Sequence, residues 1–441
     1  MLDLLISSLS INMLIPWDIA VFAVLDSGRS CKWIRQSYVP TRETDSPISI
    51  IDISVKKAIT CPASEMLLVQ THDHRFYLGT AGYKDLKDIT TQVASLLQIE
   101  PDDIGDLVEE ICTDKLNWIV RTRNQIWIIC LEGFNSRHEE LPSRIEYSIP
   151  GPIDLFSYGY YHGLVRTTDN RLFLIGNESY CSYRLLDRSR TIQPTEISFS
   201  DASNIKQVVC GDNYTLCLMN DGKVYAHGLR FRSPHRTNTF IEEQFEAVVF
   251  PEGTVITKIV SSEACIIYLT DSGHCYHTGI RTIHASIESH CIYRNGIIEE
   301  TKENLCPDLL QQVRHLVVED VFMLNTSIVI QDSYQRLHVL DLDVKDLFWG
   351  DSWVIGAKTC EHIPFFDDKD IVSIVQSRRT KFIRPDITGE ELIYLTTDSG
   401  EAYQSADLRQ GATEITFFTD NPLARLDRSA AIPSAKSIVK H

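Results

Sequence analysis

The chain has 441 residues, of which 43% are hydrophobic and 23% charged, an ordinary globular balance with enough apolar side chain for a large core. That balance excludes collagen, a long coiled coil and bulk disorder. The formal net charge of −18 argues against a sequence-independent nucleic-acid binder, because phosphate binding needs Lys and Arg to displace counterions. No nucleic-acid partner is therefore expected.

The first residues, MLDLLISSLSINMLIPWDIAVFAVLDSG, are apolar but lack a basic start, and Asn12, Pro16 and Asp18 interrupt any signal-like run. Residues 17–34 read as folded strand instead. No later stretch reaches about 18 uninterrupted apolar residues, so no membrane span is expected. The twelve cysteines include no C-x-x-C, the nearest pair being Cys210 and Cys217. Cys130, Cys217 and Cys265 sit inside apolar runs, where a free thiol acts as a small buried hydrophobe. Reduced thiols and a cytoplasmic location, with the nucleus as second choice, are the expectation. The N-x-S/T sequons at Asn177, Asn213 and Asn325 read as chance matches.

One pattern recurs along the chain: two apolar residues spaced by three, a short polar or Gly turn, an apolar run, a D-x-G-like tip and a second apolar run. Its copies run from Val55 to Gly79, Val108 to Ile129, Ile153 to Gly176, Ile205 to Gly228, Ile256 to Gly279, Val317 to Leu340 and, with an insertion, Ile371 to Tyr403. Ile19 to Trp33 matches the hairpin part alone. The tips fall at Asp26, Asp73, Asn124, Asp169, Asp221, Asp271, Ser333 and Asp398, about 53 residues apart on average. Each copy reads as a β-hairpin, with Gly222 after Asp221 accepting the positive φ of a short loop. Runs such as TLCLM and IIYLT are continuously apolar and rich in β-formers, which fits strands buried on both faces. A repeat of this length and kind predicts an all-β fold, a single β-propeller of four-stranded antiparallel blades, because stacked blades bury what one cannot bury alone.

The copy IKQVVCGDNYTLCLMNDGKVYAHG at 205–228 resembles the RCC1-type repeat: an aliphatic pair, a small residue and Gly, a polar turn, Thr-Leu, an aliphatic strand, Asp-Gly, then Val-Tyr and a closing Gly. The copies at 153–176 and 256–279 share it, and fainter likeness extends over about residues 17–405. The family's Trp before the closing Gly is replaced by Ile175, His227 and Thr278, which marks a divergent member. The resemblance implies seven blades; the eight hairpins counted leave eight open. It also implies either a protein-binding module or a guanine nucleotide exchange factor for a small GTPase.

Three segments depart from the repeat and read as rim insertions, near 83–101, 295–316 and 376–391. In the first, Leu86, Ile89, Val93, Leu96 and Leu97 have helical spacing. In the second, a short helix is expected at Pro307–Val313. The third carries Arg378, Arg379, Lys381 and Arg384 on an otherwise acidic chain, and a second basic loop carries Arg230, Arg232 and Arg236. Long loops on a rigid scaffold often bind. If both project from one face they form a basic patch suited to an acidic-surfaced protein. Ile415–Asp420 could supply a last strand, and residues 421–441 read as a flexible tail after a propeller spanning 1–420.

Chemical motifs are missing. There is no P-loop, no G-x-S-x-G, no H-E-x-x-H and no EF-hand loop. His274 and His277 fall on opposite faces of a strand, and His72 and His74 sit at a hairpin tip without a third ligand in reach. No catalytic residue, cofactor or metal ligand is nominated. The expected function is a non-catalytic protein–protein interaction scaffold, with a small-GTPase exchange factor or regulator as the alternative; a central-pocket hydrolase is a remote third.

Overall fold

The computed structural model describes residues 11–17, 20–25, 30–34, 48–51, 53–61, 66–80, 86–113, 117–130, 144–159, 162–176, 190–192, 194–211, 214–228, 245–261, 265–279, 293–294, 297–298, 308–324, 327–341, 343–347, 350–354, 360–376, 393–405 and 407–414. Each repeat copy becomes a small up-and-down antiparallel sheet, and the fold is a β-propeller of four-stranded blades. The clearest copy, the fifth sheet, has its first strand at Ile205–Cys210, its second at Tyr214–Met219, its third at Val224–Gly228 and a two-residue outer strand at Glu246–Ala247. The first sheet begins earlier than its sequence match, with Ile11–Trp17 preceding the hairpin of Ala20–Leu25 and Ser30–Ile34. Pro16 is tolerated there because this strand is the sheet's edge.

Seven sheets have four strands. The third in chain order has the same four, Glu110–Thr113, Asn117–Arg121, Gln125–Cys130 and Arg144–Ser148, and adds a fifth at Arg190–Ile192 that runs parallel to its outer strand. That fifth strand comes from the connection between the third and fourth strands of the next sheet, whose strands are Ile153–Tyr158, His162–Thr167, Leu172–Gly176 and Thr195–Ile197.

From the second sheet onward, the second strands are the buried inner part of their sheets. Met66–Thr71, Tyr214–Met219 and Ser327–Asp332 are buried at every residue, with the apolar runs Met66–Val69, Leu216–Met219 and Ile328–Ile330 inside them. First strands are less covered. Each of those starting at Ile153, Ile205, Ile256, Val318 and Ile371 carries an irregular step two residues in, so that one extra residue is unpaired in the ladder.

The chain divides into two compact units, residues 1–60, 67–88 and 370–441, and residues 61–66 and 89–369. In the first unit the strand Ile11–Trp17 packs on the strands Ile371–Gln376 and Ile393–Thr397 of the eighth sheet. In the second unit neighbouring sheets share cores. Ile119 and Ile128 pack with Val165 and Phe173; Leu164 with Cys217; Leu216 with Ile259 and Tyr268; Ile267 and Cys275 with Val321 and Ile330.

The insertions differ in detail from their sequence reading. The first contains a helix only at Thr90–Leu97, burying Val93, Ala94, Leu96 and Leu97, because Lys87–Asp88 is taken as an outer strand. In the second, Asp308–Leu309 pairs with the strand Cys275–Gly279 and only Gln311–Val313 turns, as a 3-10 helix. The third lies outside the described residues, as do Asp26 and 415–441. A short strand at Thr413–Glu414 completes the eighth sheet.

Candidate interaction surface

Several hairpin tips share one device. In the second, fourth, sixth and eighth sheets the last residue of the second strand is a Thr whose hydroxyl reaches across the loop to the residue four positions on. Thr270 Oγ1 donates to the His274 carbonyl at 3.1 Å and accepts from the His274 N–H at 2.9 Å. Thr71 does the same with Arg75 and Thr397 with Glu401. The loop's last residue must then take positive φ, and Gly222, Gly273 and Gly400 do so, as do His74, Asn170 and Gln335.

Gly273 faces a second constraint. A Cβ there would meet a Val317 methyl at 2.7 Å and the Val318 nitrogen at 2.9 Å. The closeness comes from backbone stitching between sheets: Val318 N–H donates to the Gly273 carbonyl at 2.9 Å, as Ile256 N–H does to Gly222 at 3.1 Å. Polar side chains strengthen the same seams. Gln207 grips both the N–H and the carbonyl of Ile259, and the Arg166 guanidinium spans Asp154 and the carbonyls of Ala202 and Ile205. Lys258 pairs with Asp320.

The seventh sheet, whose first three strands are Val318–Met323, Ser327–Asp332 and Leu337–Asp341, replaces the tip Thr with Asp332. Its side chain is 2% exposed and accepts from Arg336 at 2.7 Å and His338 at 3.0 Å, as well as from the N–H groups of Tyr334 and Arg336. Burial alone would raise this carboxyl, but the hydrogen bonds from Arg336 and His338 outweigh it and hold its pKa down to about 2. Burial pushes His338 below the ordinary imidazole value, against the pull of Asp332. The His338 ring lies 5.2 Å from that of His362, which is 2.6 Å from Asp367.

Apolar side chains stand exposed around these tips. Val317 is 57% exposed and Tyr334 75%, the latter with the Arg336 guanidinium over its ring at 4.9 Å. Val255 is 37% exposed, against Gly222.

The basic candidates Arg378, Arg379, Lys381 and Arg384, and Arg230, Arg232 and Arg236, lie outside the described residues. Their flanks are described. The first group falls between the first and second strands of its sheet, after Gln376 and before Ile393; the second falls between the third and outer strands of the fifth sheet. His274 is exposed and its Nδ1 lies 2.9 Å from Ser272, whereas His277 is half-buried inside a strand. Among the described residues no three His, Cys, Asp or Glu side chains converge as a metal site. Cys112, Cys210, Cys217, Cys275 and Cys360 are free thiols, and burial pushes Cys275 up to about 12. No described helix is long and apolar enough to cross a membrane.

The exposed apolar row escaped the sequence reading because Val317 counts there as one of the aliphatic repeat positions. The Asp332 cluster left a readable trace, an Asp aligned with the tip Thr residues and followed by Arg at the fourth position and His at the sixth.

Residues 205–229 match the family model described as "Regulator of chromosome condensation (RCC1) repeat". A stretch of 90 residues, 20% of this chain, is 32% identical to the X-linked retinitis pigmentosa GTPase regulator of Mus musculus, and the Canis lupus familiaris protein matches equally. The match covers 9% of the length of those relatives. Among solved structures, Prp20p from Saccharomyces cerevisiae is 12% identical with a TM-score of 0.44, over 83% of this chain and 90% of that one. Human WBSCR16 is 15% identical with a TM-score of 0.43, over 70% and 82%. With one matched RCC1-type repeat and its run of four-stranded antiparallel sheets, the chain is a β-propeller that resembles the RCC1-like family.

Proposed function

We propose that the chain is a non-catalytic protein–protein interaction scaffold. The observation that carries this reading is a division of labour at the tips. Polar side chains there hold loops and seams together, as Thr270, Gln207 and Arg166 do, while the side chains left in solvent include Val255, Val317 and Tyr334. A catalytic surface would spend its polar groups on a converging site. The partner is a protein, with the basic segments at 230–236 and 378–384 serving acidic-surfaced ones and the cytoplasm or nucleus as the setting. Affinity purification of the intact chain beside a version lacking Arg378–Asp386 tests the reading. A stoichiometric partner kept by the first and lost by the second supports it; the absence of any stoichiometric partner from both sinks it.

The second reading, regulation of a small GTPase, is favoured by the 90-residue likeness to a protein named as a GTPase regulator. Exchange needs no catalytic side chain, only tighter binding to one state of the GTPase. Accelerated nucleotide release from one member of a GTPase panel, abolished by R378E/R379E/K381E, would establish it.

A further inference from the structure

We infer that the tips of the sixth and seventh sheets form a docking surface for a partner segment in which Lys or Arg side chains alternate with aliphatic ones. The inference rests on the scaffold reading and adds a second surface whose preference is opposite to that of the basic loops.

The surface is continuous. Val255 lies against Gly222, and its carbonyl accepts the N–H of Asp271 at 3.0 Å. Asp271 opens the loop that ends at Gly273, against which Val317 packs. The Val317 carbonyl accepts from Ser333 at 2.8 Å, and Tyr334 follows. Three exposed apolar side chains therefore follow one another along two successive seams. Isolated exposed apolar residues need no explanation, but a run of them marks an interaction site.

The charges set the occupant. Glu252 stands in the turn leading to Val255, Asp271 lies beside that residue, and Glu319 follows Val317, held by the Gln335 amide at 2.7 Å. None of these three carboxylates pairs with a basic side chain among the described residues. Most neighbouring cations are held by other carboxylates, Lys223 by Asp221 at 2.6 Å, Lys258 by Asp320 and Arg336 by Asp332, while Arg314 lies 3.4 Å from the Gln311 side chain. An incoming cation thus finds carboxylates not paired with a described basic side chain between apolar contacts, whereas an incoming carboxylate meets more like than opposite charge.

The test uses the full chain and two fluorescein-labelled probes, a short alternating Lys/Leu peptide and its Glu/Leu counterpart, read by anisotropy. The Lys/Leu peptide should bind. Its affinity should fall about tenfold or more in V317S/Y334S and in D271K/E319K, and about twofold or less in the control D102K/D103K, which reverses two exposed acids in another part of the chain. An equal fall in the control, unchanged affinity in the surface variants, equal binding of the Glu/Leu peptide, or no binding at all would overturn the inference. All three variants change exposed side chains, so an unshifted melting temperature verifies that they fold. The scaffold reading fails separately: a partner that the intact chain holds, that the Arg378–Asp386 deletion loses and that both surface variants keep leaves the scaffold standing and removes this surface from it.

Discussion

The sixth and seventh sheets solve one turn problem in two ways. At Thr270 a neutral hydroxyl closes the loop with a pair of local hydrogen bonds and requires nothing from elsewhere. At Asp332 a carboxylate takes the same place and accepts the same backbone N–H, but a buried charge needs compensation. Arg336 and His338 supply it, and the His362 ring lies tilted against His338. The contrast teaches that one position can be a purely local fastening in one repeat and the hub of a charged network in its neighbour.

The comparison can be broken most severely at the hub. Asp332→Ala leaves His338, the Arg336 guanidinium and two backbone N–H groups without their acceptor, and should cost about 3 kcal/mol in denaturant unfolding. Asp332→Thr restores the neighbour's solution and should recover more than half of that loss. A Thr variant no better than the Ala variant would show that the charge, not the turn, is what the seventh sheet needs.

Gly273→Ala comes next. The added methyl meets Val317 and the Val318 nitrogen at a positive φ, so a cost of about 2 kcal/mol is expected in the same measurement.

Acid sharpens the comparison. The folded pKa of Asp332 lies below its unfolded value, so its contribution is full above the ordinary carboxylate range near pH 4 and drains away as pH falls toward about 2. The lowered His338 acts in the same direction: the unfolded chain takes up that proton first, so stability already declines as pH drops below the usual imidazole value of about 6.5. Below about pH 4, melting temperature against pH should therefore fall less steeply in Asp332→Thr than in the parent chain, while the His338 decline persists because losing Asp332 removes what raises that imidazole. The smallest effect is expected at the fourth sheet, where Asn170→Gly relieves a left-handed residue and should add about 0.5 kcal/mol or less.

The tips and buried second strands were legible because both rest on local chemistry: Asp-x-Gly or Thr at the turn, unbroken β-formers behind it. The two-residue outer strands, such as Glu246–Ala247, were not, since so short a pairing leaves no periodicity. Nor was the unpaired step after Ile205, Ile256 and Val318, which depends on the adjoining sheet. The basic candidates were chosen for charge contrast in long loops, a signal of composition with no geometry in it. The exposed valines follow from where the repeats stitch together, which a single repeat does not reveal.

The parallel strand Arg190–Ile192 has a bearing on self-association. An outer strand offers unsatisfied N–H and C=O groups that can recruit another molecule, and most sheets here limit the hazard by making that strand two or three residues long. The third sheet cannot, because Arg144–Ser148 runs for five residues. Its neighbour lends a strand that caps the ladder. Removing that cap would uncover a sticky border, and clumping of otherwise folded molecules, rather than unfolding, would be the first symptom.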